Sequence, residues 1–208
     1  MEYIERALGY LFFNFKVGDS GILTKTLKFS TSNPQFKVTS SSFSDNGYLP
    51  LESAQVGVGG KNLSPPLTIE FIGERDPQIK SLVLVCHDVD VPIWFAVTHV
   101  IVYNIPVDGD KPIEFEFGAF NGERAKSTDK DSYIVGKGTT GERSFIGPRP
   151  ILGHGDHRYV FQVIAINDIA TNLLNELSSD EVNPTKLTEI LKDNAISYAT
   201  ITGLYKRD

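Results

Sequence analysis

Three apolar runs, each bounded by an ionisable residue, constrain the fold of this chain more than any other feature. Residues 81–87 are almost continuously apolar and lead into Asp88, residues 99–104 begin with His99, and residues 159–166 follow closely on His157. Apolar runs of this length are typical of strands that are buried on both faces. An ionisable group is costly at such a place unless it is paired or used, so these strand ends are candidates for a site.

The remaining segments predict a mainly β protein. Residues 36–39, 67–71 and 112–117 alternate between apolar and polar side chains, as half-buried strands do, and residues 195–205 predict a closing strand. Residues 172–177 predict a short helix, and Asn183-Pro184 predicts the start of another. We therefore expect a two-sheet antiparallel β-sandwich with short C-terminal helices.

The N-terminus predicts a helix over residues 3–16. Its apolar side chains fall at the spacing of one helical stripe: Ile4, Ala7, Leu8, Leu11, Phe12 and Phe15. We expect this stripe to pack on the body of the protein or on a second subunit, which makes a homodimer one alternative. Membrane contact would be peripheral at most, because the helix lacks a basic polar face. We divide the chain into an N-terminal helix and extension, residues 1–35, and a main domain, residues 36–208.

Composition excludes several classes of partner. The formal net charge is −6 and the longest basic run is the final Lys206-Arg207 pair, so a nucleic-acid partner is not expected. No apolar stretch approaches the roughly 20 residues that span a bilayer. The N-terminus has no basic start or small-residue cleavage site. Cys86 is the only cysteine, so no internal disulfide is expected. Together these features predict a cytoplasmic protein.

The period of a strand predicts which side chains share a face. Cys86 and Asp88 fall on one face of the first strand, and His99 is grouped with Ile101 and Tyr103 on the second. If these two strands pair antiparallel across the loop of residues 89–98, Asp88 and His99 become neighbours. His157 and Tyr159 join them if the third strand lies alongside.

Such a group favours binding of a small anion. A carboxylate can hold a histidine in one tautomer or keep it cationic, so that the other ring nitrogen donates to an anion. Residues 147–150, GPRP, form a tight loop whose free backbone N–H groups can also donate. The predicted ligand-binding residues are Asp88, His99, Gly147, Pro148, His157 and Tyr159. This set suits a phosphate monoester with an ammonium or hydroxyl tail.

Three nearby residues are expected to lie outside this site. Arg158 falls on the opposite strand face from His157, and we expect it to pair with Asp90. His87 points away from the face of Asp88, and His154 lies in a loop.

The ordered motifs resemble those of the phosphatidylethanolamine-binding protein family, in its bacterial and fungal branch, which is also described as Raf kinase inhibitor-like. Residues 88–92, DVDVP, resemble D-P-D-x-P, and residues 99–106, HVIVYNIP, resemble the family's histidine-led strand. Residues 147–150, GPRP, and 157–159, HRY, resemble its G-P-x-P and H-R-Y, and residues 62–67, NLSPPL, are similar to N-x-S-P-x-L. The resemblance spans about residues 36–205.

The resemblance implies a β-sandwich with C-terminal helices and an anion pocket at the six predicted positions. It also implies binding of phosphorylated head groups without a cofactor or an established catalytic activity. Three positions depart from the family pattern. Val89 replaces the first proline of D-P-D-x-P, Phe145 stands where tyrosine is common, and no aromatic residue directly precedes His99. Trp94 is the expected substitute for that missing aromatic ring.

We therefore carry three hypotheses of function. The first is a non-enzymatic binder of a small phosphorylated or other anionic ligand, with a regulatory role. The second is an inhibitor of a protease or kinase that acts through the N-terminal helix or residues 118–145. The third is a metal-assisted hydrolase that uses Asp88, His99 and His157 as a facial triad, although no H-x-H or H-E-x-x-H spacing supports it. We expect neither a metal nor a catalytic residue.

Overall fold

Two β-sheets form the body of the protein in the computed structural model, which describes residues 2–109, 111–121 and 132–208. The helices are α1 (Glu2–Leu11), α2 (Asp168–Glu176) and α3 (Pro184–Leu191). The strands are β1 (Phe36–Thr39), β2 (Gly47–Tyr48), β3 (Leu67–Phe71), β4 (Ser81–Asp88), β5 (Val97–Pro106), β6 (Ile113–Phe115), β7 (Ile134–Gly136), β8 (His157–Ile166) and β9 (Ala195–Tyr205).

The order of the strands brings the three apolar runs together. The smaller sheet has the order β1-β3-β6, and the larger has the order β2-β9-β8-β4-β5-β7. Strand β4 therefore lies between β5 and β8, and it is antiparallel to both. The short β2 pairs with β9 in parallel, whereas the other pairs are antiparallel. The predicted mainly β, two-sheet sandwich with helices is confirmed.

The larger sheet separates two hydrophobic cores. Leu82 and Leu84 of β4 face the core between the two sheets, whereas Val83 and Val85 face a core that includes buried side chains of α2 and α3. Because each face of β4 meets apolar neighbours, the strand needs no polar alternation. Burying each of these aliphatic side chains stabilises the fold by about 1.5–3 kcal/mol.

Both C-terminal helices begin at asparagine caps. The side-chain oxygen of Asn183 accepts a hydrogen bond from the backbone N–H of Lys186, 3.0 Å away, and Pro184 takes the first helical position, as predicted. Asn167 caps α2 in the same way through the N–H of Ala170. Helix α2 starts at Asp168, which is earlier than the predicted residue 172.

A β-bulge in β5 changes the direction of His99. Cys86 is opposite Val100, whereas the next residue of β4, His87, is opposite Thr98, so His99 is the extra residue. The prediction that His99 shares a face with Ile101 and Tyr103 is therefore wrong, since those two residues belong to the helix-side core. A bulge commonly re-aims a side chain in this way.

Helix α1 is shorter and less covered than predicted. It ends at Leu11, and its side chains Ile4, Leu8 and Leu11 are 67%, 43% and 74% exposed. The contact with the body runs instead through Gly9, the one buried residue of the helix, where an added Cβ would lie 2.1 Å from the carbonyl oxygen of Leu152. The apolar stripe thus does not pack on the body, and its packing on a second subunit stays a prediction. Within the described ranges, no helix has the length and apolar character needed to cross a bilayer.

Candidate ligand-binding site

A cavity of about 300 Å³ lies where β4, β5 and β8 meet. Asp88 at the end of β4 is opposite Val97 of β5 on one side and Tyr159 of β8 on the other. This is the antiparallel arrangement that the sequence predicted. Asp88, His99, His157 and Tyr159 all line the cavity and are at most 6% exposed.

Asp88 and His157 form a buried pair. The ring Nδ1 of His157 donates to Asp88 Oδ2 over 2.8 Å, and the backbone N–H of Asp90 donates to Asp88 Oδ1 over 2.9 Å. The expectation was that a histidine held by Asp88 would donate to an anion through its other ring nitrogen. The structure places it instead 2.7 Å from Nδ1 of His154, so both ring nitrogens of His157 are engaged within the protein.

His154 was expected outside the site; it is not among the residues that line the cavity, but it contacts His157 directly. Its ring is fully buried and packs against the ring of His157, with the centroids 4.8 Å apart. Its Nε2 lies 2.8 Å from the carbonyl oxygen of Phe12 in the N-terminal segment. The loop position of His154 offers no strand period that could have revealed this contact.

His99 presents a free ring nitrogen to the cavity. A carbonyl oxygen can only accept, so the contact of 2.5 Å between His99 Nδ1 and Ile146 O places the proton on Nδ1. Nε2 is buried and has no hydrogen-bond partner. Burial lowers the pKa of His99 below its ordinary value, which favours the neutral ring. Neutral His99 is therefore a hydrogen-bond acceptor in the cavity.

Tyr159 and Arg149 complement that acceptor. The Tyr159 hydroxyl is buried beside the Asp88 carboxylate but makes no hydrogen bond of normal geometry, and its ring meets the His99 ring edge-to-face at 5.0 Å. Burial, with a further contribution from the Asp88 carboxylate, raises the pKa of Tyr159 well above its ordinary value, so the hydroxyl keeps its proton. Arg149 lines the cavity from an exposed position and adds a positive charge. Arg149 was not among the predicted site residues, although it belongs to the GPRP motif of residues 147–150.

Gly147 and Pro148 shape the loop and are not among the residues that line the cavity. The Gly147 N–H donates to the side-chain oxygen of Asn62 over 2.7 Å, so it is not the free donor that the sequence analysis expected. A Cβ on Gly147 would lie 2.1 Å from the carbonyl oxygen of Ser53. Pro148 accepts a hydrogen bond from the N–H of Gln55 through its carbonyl. Both residues therefore hold the backbone close to its neighbours.

The expected ion pair between Arg158 and Asp90 is present. Arg158 Nε and a terminal guanidinium nitrogen donate to the two carboxylate oxygens of Asp90 over 2.8 and 2.9 Å. Arg158 also reaches Asp19 in the N-terminal segment. His87 lies outside the cavity lining, as expected, where its ring contacts Gln162. Burial lowers the pKa of His87 to about 4.

The two residues that depart from the family motif, Val89 and Phe145, are not among those that line the cavity. Val89 is fully buried with Ile22 and Val160. Trp94 is 85% exposed and is not among the cavity-lining residues, so it does not substitute for the missing aromatic ring. Phe145 packs into the core between the sheets.

The facial-triad hypothesis finds no geometric support. In the part of the chain that the structure describes, no three His, Cys, Asp or Glu side chains are grouped so as to hold a metal ion. His157 would have to give up one of two internal hydrogen bonds to become a ligand.

The chain is similar to known proteins in both sequence and fold. A family model described as phosphatidylethanolamine-binding protein matches residues 39–206. The UPF0098 protein PH1269 of Pyrococcus horikoshii is 34% identical over 169 residues, which cover 81% of this chain and 75% of that protein. A UPF0098 protein of Archaeoglobus fulgidus is 31% identical over 80% of this chain, and the match spans only half of that protein's length.

Solved structures share the fold. Escherichia coli YbcL, described as a new member of the mammalian PEBP family, superposes with a TM-score of 0.68 at 25% identity and covers 84% of this chain and 99% of its own. A carboxypeptidase Y inhibitor, solved in complex with its cognate proteinase, has a TM-score of 0.53 at 17% identity and covers 96% of each chain. At that identity the second likeness concerns the fold alone.

Proposed function

This chain belongs to the phosphatidylethanolamine-binding protein family, and on that premise we propose that its cavity binds a small phosphorylated ligand of the phospholipid head-group type without transforming it. The observation that carries the proposal is the pair of unpartnered polar atoms at the cavity, His99 Nε2 and the Tyr159 hydroxyl. A buried polar atom without a partner costs about 1–3 kcal/mol, and a ligand that bonds to both atoms recovers that cost.

The polar groups favour a ligand that carries both a donor and several acceptors. An ammonium or hydroxyl group can donate to His99 Nε2 and to the remaining lone pairs of Asp88. A phosphate group can accept from the Tyr159 hydroxyl and attract Arg149 at the mouth. Phosphoethanolamine presents both kinds of group within one small molecule.

The same contacts support binding rather than catalysis. A general base needs a free lone pair beside the proton that it removes. Of the two histidines among the described residues that line the cavity, His157 has both ring nitrogens engaged in the protein, and the free lone pair of His99 Nε2 has no serine or cysteine nucleophile to activate. Among the described residues that line the cavity, there is no serine or cysteine to act as a nucleophile. A regulatory role, in which occupancy of the cavity is the signal, follows from binding without turnover.

A two-dimensional NMR titration tests the proposal with three probes: phosphoethanolamine, inorganic phosphate and ethanolamine. We expect phosphoethanolamine to shift resonances around Asp88, His99 and Tyr159 at millimolar concentration, and to bind more tightly than either half alone. Tyr159→Phe keeps the ring and removes the donor, so it should weaken binding about tenfold. His87→Gln replaces a buried histidine away from the cavity and serves as the matched control. If none of the three probes shifts the His99 or Tyr159 resonances at millimolar concentration, the proposal is refuted.

A second candidate function is binding of a protein partner, such as a protease or kinase, through α1. The specific observation is the exposed apolar surface of this helix and of the segment that follows, where Phe12, Phe13 and Phe15 are 41%, 47% and 53% exposed. The other candidate segment, residues 118–145, includes residues 122–131, which lie outside the described part. Loss of partner capture on removing residues 2–16, but not with Tyr159→Phe, would favour this function over the first.

A further inference from the structure

A continuous row of hydrogen bonds leads from the cavity to the N-terminal segment. It runs from Asp88 Oδ2 to His157 Nδ1 over 2.8 Å, from His157 Nε2 to His154 Nδ1 over 2.7 Å, and from His154 Nε2 to the carbonyl oxygen of Phe12 over 2.8 Å. The three side chains are at most 3% exposed. Solvent therefore cannot replace a missing link at little cost.

The end groups of this row determine how many protons it holds. The Phe12 carbonyl can only accept, so His154 Nε2 carries a proton. Each of the other two contacts joins two atoms that would repel through their lone pairs unless one proton lies between them. Three contacts therefore require three protons.

The proton count fixes the charge of the trio. With a carboxylate at Asp88, three protons on the two rings make one imidazolium, and the sum is zero. If Asp88 instead holds the first proton, both rings are neutral and the sum is again zero. Removing one proton leaves the trio at −1 and breaks one contact, whichever atom loses it.

We propose that His154 is a positioning residue that sets the charge of the ligand cavity, because it completes a three-proton row that keeps the Asp88–His157–His154 trio neutral. The inference rests on the proposed function and explains how a cavity that contains a buried carboxylate accepts an anion. With the trio neutral and Arg149 at the mouth, the remaining charge of the cavity is positive. Without His154, a proton on His157 Nε2 loses the acceptor that His154 Nδ1 provides, so the imidazolium that offsets the Asp88 carboxylate is less stable.

Other titratable groups surround the row. Those that face it from the neighbouring elements are His99 on β5, Tyr159 on β8, Tyr205 opposite His157 on β9, and Lys16 in the N-terminal segment. Burial is the main cause that lowers the pKa of His154, and the charges of His157 and Lys16 add to it. A lowered pKa means that the shared proton leaves as the pH rises through a value on the acid side of the ordinary histidine range. The contribution of His154 to anion binding is therefore present at acid pH and lost towards pH 8.

The test compares inorganic phosphate affinity of the full chain with that of His154→Phe and His154→Gln at pH 5.5, 6.5 and 8, by isothermal titration calorimetry. Phosphate itself titrates in this range, but the ratio of the variant and wild-type dissociation constants cancels that effect. We expect the ratio to be at least about tenfold at pH 5.5 and to approach one at pH 8. His87→Gln, which removes a buried histidine outside the row, should give a ratio near one throughout.

A ligand-free measurement separates this inference from the proposed function. Spectra of ¹⁵N-labelled histidine at pH 5.5 should show a proton on His154 Nε2 and one proton shared between the facing nitrogens, with the third proton on His157 Nδ1 or on Asp88. Two plainly neutral rings without a shared proton would overturn the inference even if phosphate binds. An equal loss of affinity at every pH would also overturn it, because it would indicate a packing role. If wild-type protein binds no phosphate, the proposed function fails and the spectra alone decide the proton count.

Discussion

Replacing Gly147 with alanine separates two explanations for a glycine beside the cavity. The first is that its backbone N–H donates to an anion, and alanine keeps that donor. The second is that the loop needs close packing, since a Cβ would lie 2.1 Å from Ser53 O and 3.0 Å from the nitrogen of Gln55. Gly147 does not have a positive φ, so alanine meets no backbone strain and the steric contact is its only defect.

The magnitude follows from the contacts that must move. The added Cβ would overlap backbone atoms by about 1 Å, and because backbone atoms cannot rotate away, the loop must shift by about that distance. Overpacking of this kind costs about 1–3 kcal/mol. The shift also strains the hydrogen bond from Gly147 N–H to Asn62, which contributes about 1 kcal/mol. We therefore expect Gly147→Ala to lower the free energy of unfolding by about 3 kcal/mol.

Urea unfolding, together with phosphoethanolamine titration, measures both consequences. Because the neighbouring Ile146 carbonyl holds His99 in its tautomer, the loop shift should also weaken ligand binding. Gly57→Ala is the control, since its Cβ would meet no atom within 4 Å. A Gly147→Ala protein as stable as wild type to within 0.5 kcal/mol, with unchanged binding, would show that the packing explanation is wrong.

Three other substitutions probe the surroundings of the cavity. Arg158→Met should lower the free energy of unfolding in urea at pH 7 by about 2 kcal/mol, because the buried Asp90 loses its ion pair and the partial exposure of Arg158 limits the effect. Adding Asp90→Asn should restore much of this loss, and no restoration would contradict this reasoning. The unfolded chain protonates His87 near pH 6.5 and the folded chain only near pH 4, so stability should fall by up to about 3 kcal/mol as the pH decreases through that window. His87→Gln should flatten this profile, and an unchanged profile would exclude His87 as its source. Gly9→Ala should release α1, because its Cβ would collide with Leu152 O; faster hydrogen exchange confined to residues 2–16 is the expected sign, and unchanged exchange would refute it.

The pattern of apolar and polar residues predicted the strands of the sheets, because the burial of side chains in a half-buried strand repeats every two residues. The bounds of β1, β3 and β9 agree with the predicted strands, since each strand contributes buried side chains to the core between the sheets. The end of α1 was not predictable in this way. Its apolar spacing continues to Phe15, yet the helix ends at Leu11. The segment that follows is held by long-range contacts such as that of Phe12 O with His154, which no local period encodes.

The site residues that lie at the ends of strands were predictable from the sequence. Asp88 and His157 were found because β4 ends and β8 begins at the same level of the sheet. His99 reaches the cavity through a bulge, and an inserted residue in a strand reverses the period on which the sequence argument depended. His154 was missed because its partner is set by the path of a loop.

The distribution of unpartnered atoms gives the strongest reason to regard this cavity as a site. Six buried side-chain polar atoms in the described part of the chain lack a hydrogen-bond partner, and those of His99 and Tyr159 share one cavity. Their neighbours Asp88 and His157 make hydrogen bonds within the protein, so the protein has the means to satisfy polar groups at this position. Water can bond to both free atoms, but the cavity is also walled by apolar side chains such as Val91, Ile93 and Ile151, which offer water few further partners. A ligand that bonds to His99 and Tyr159 and also covers these walls gains from both contacts, which is why a compact phosphorylated molecule with an alkyl link suits the cavity better than solvent.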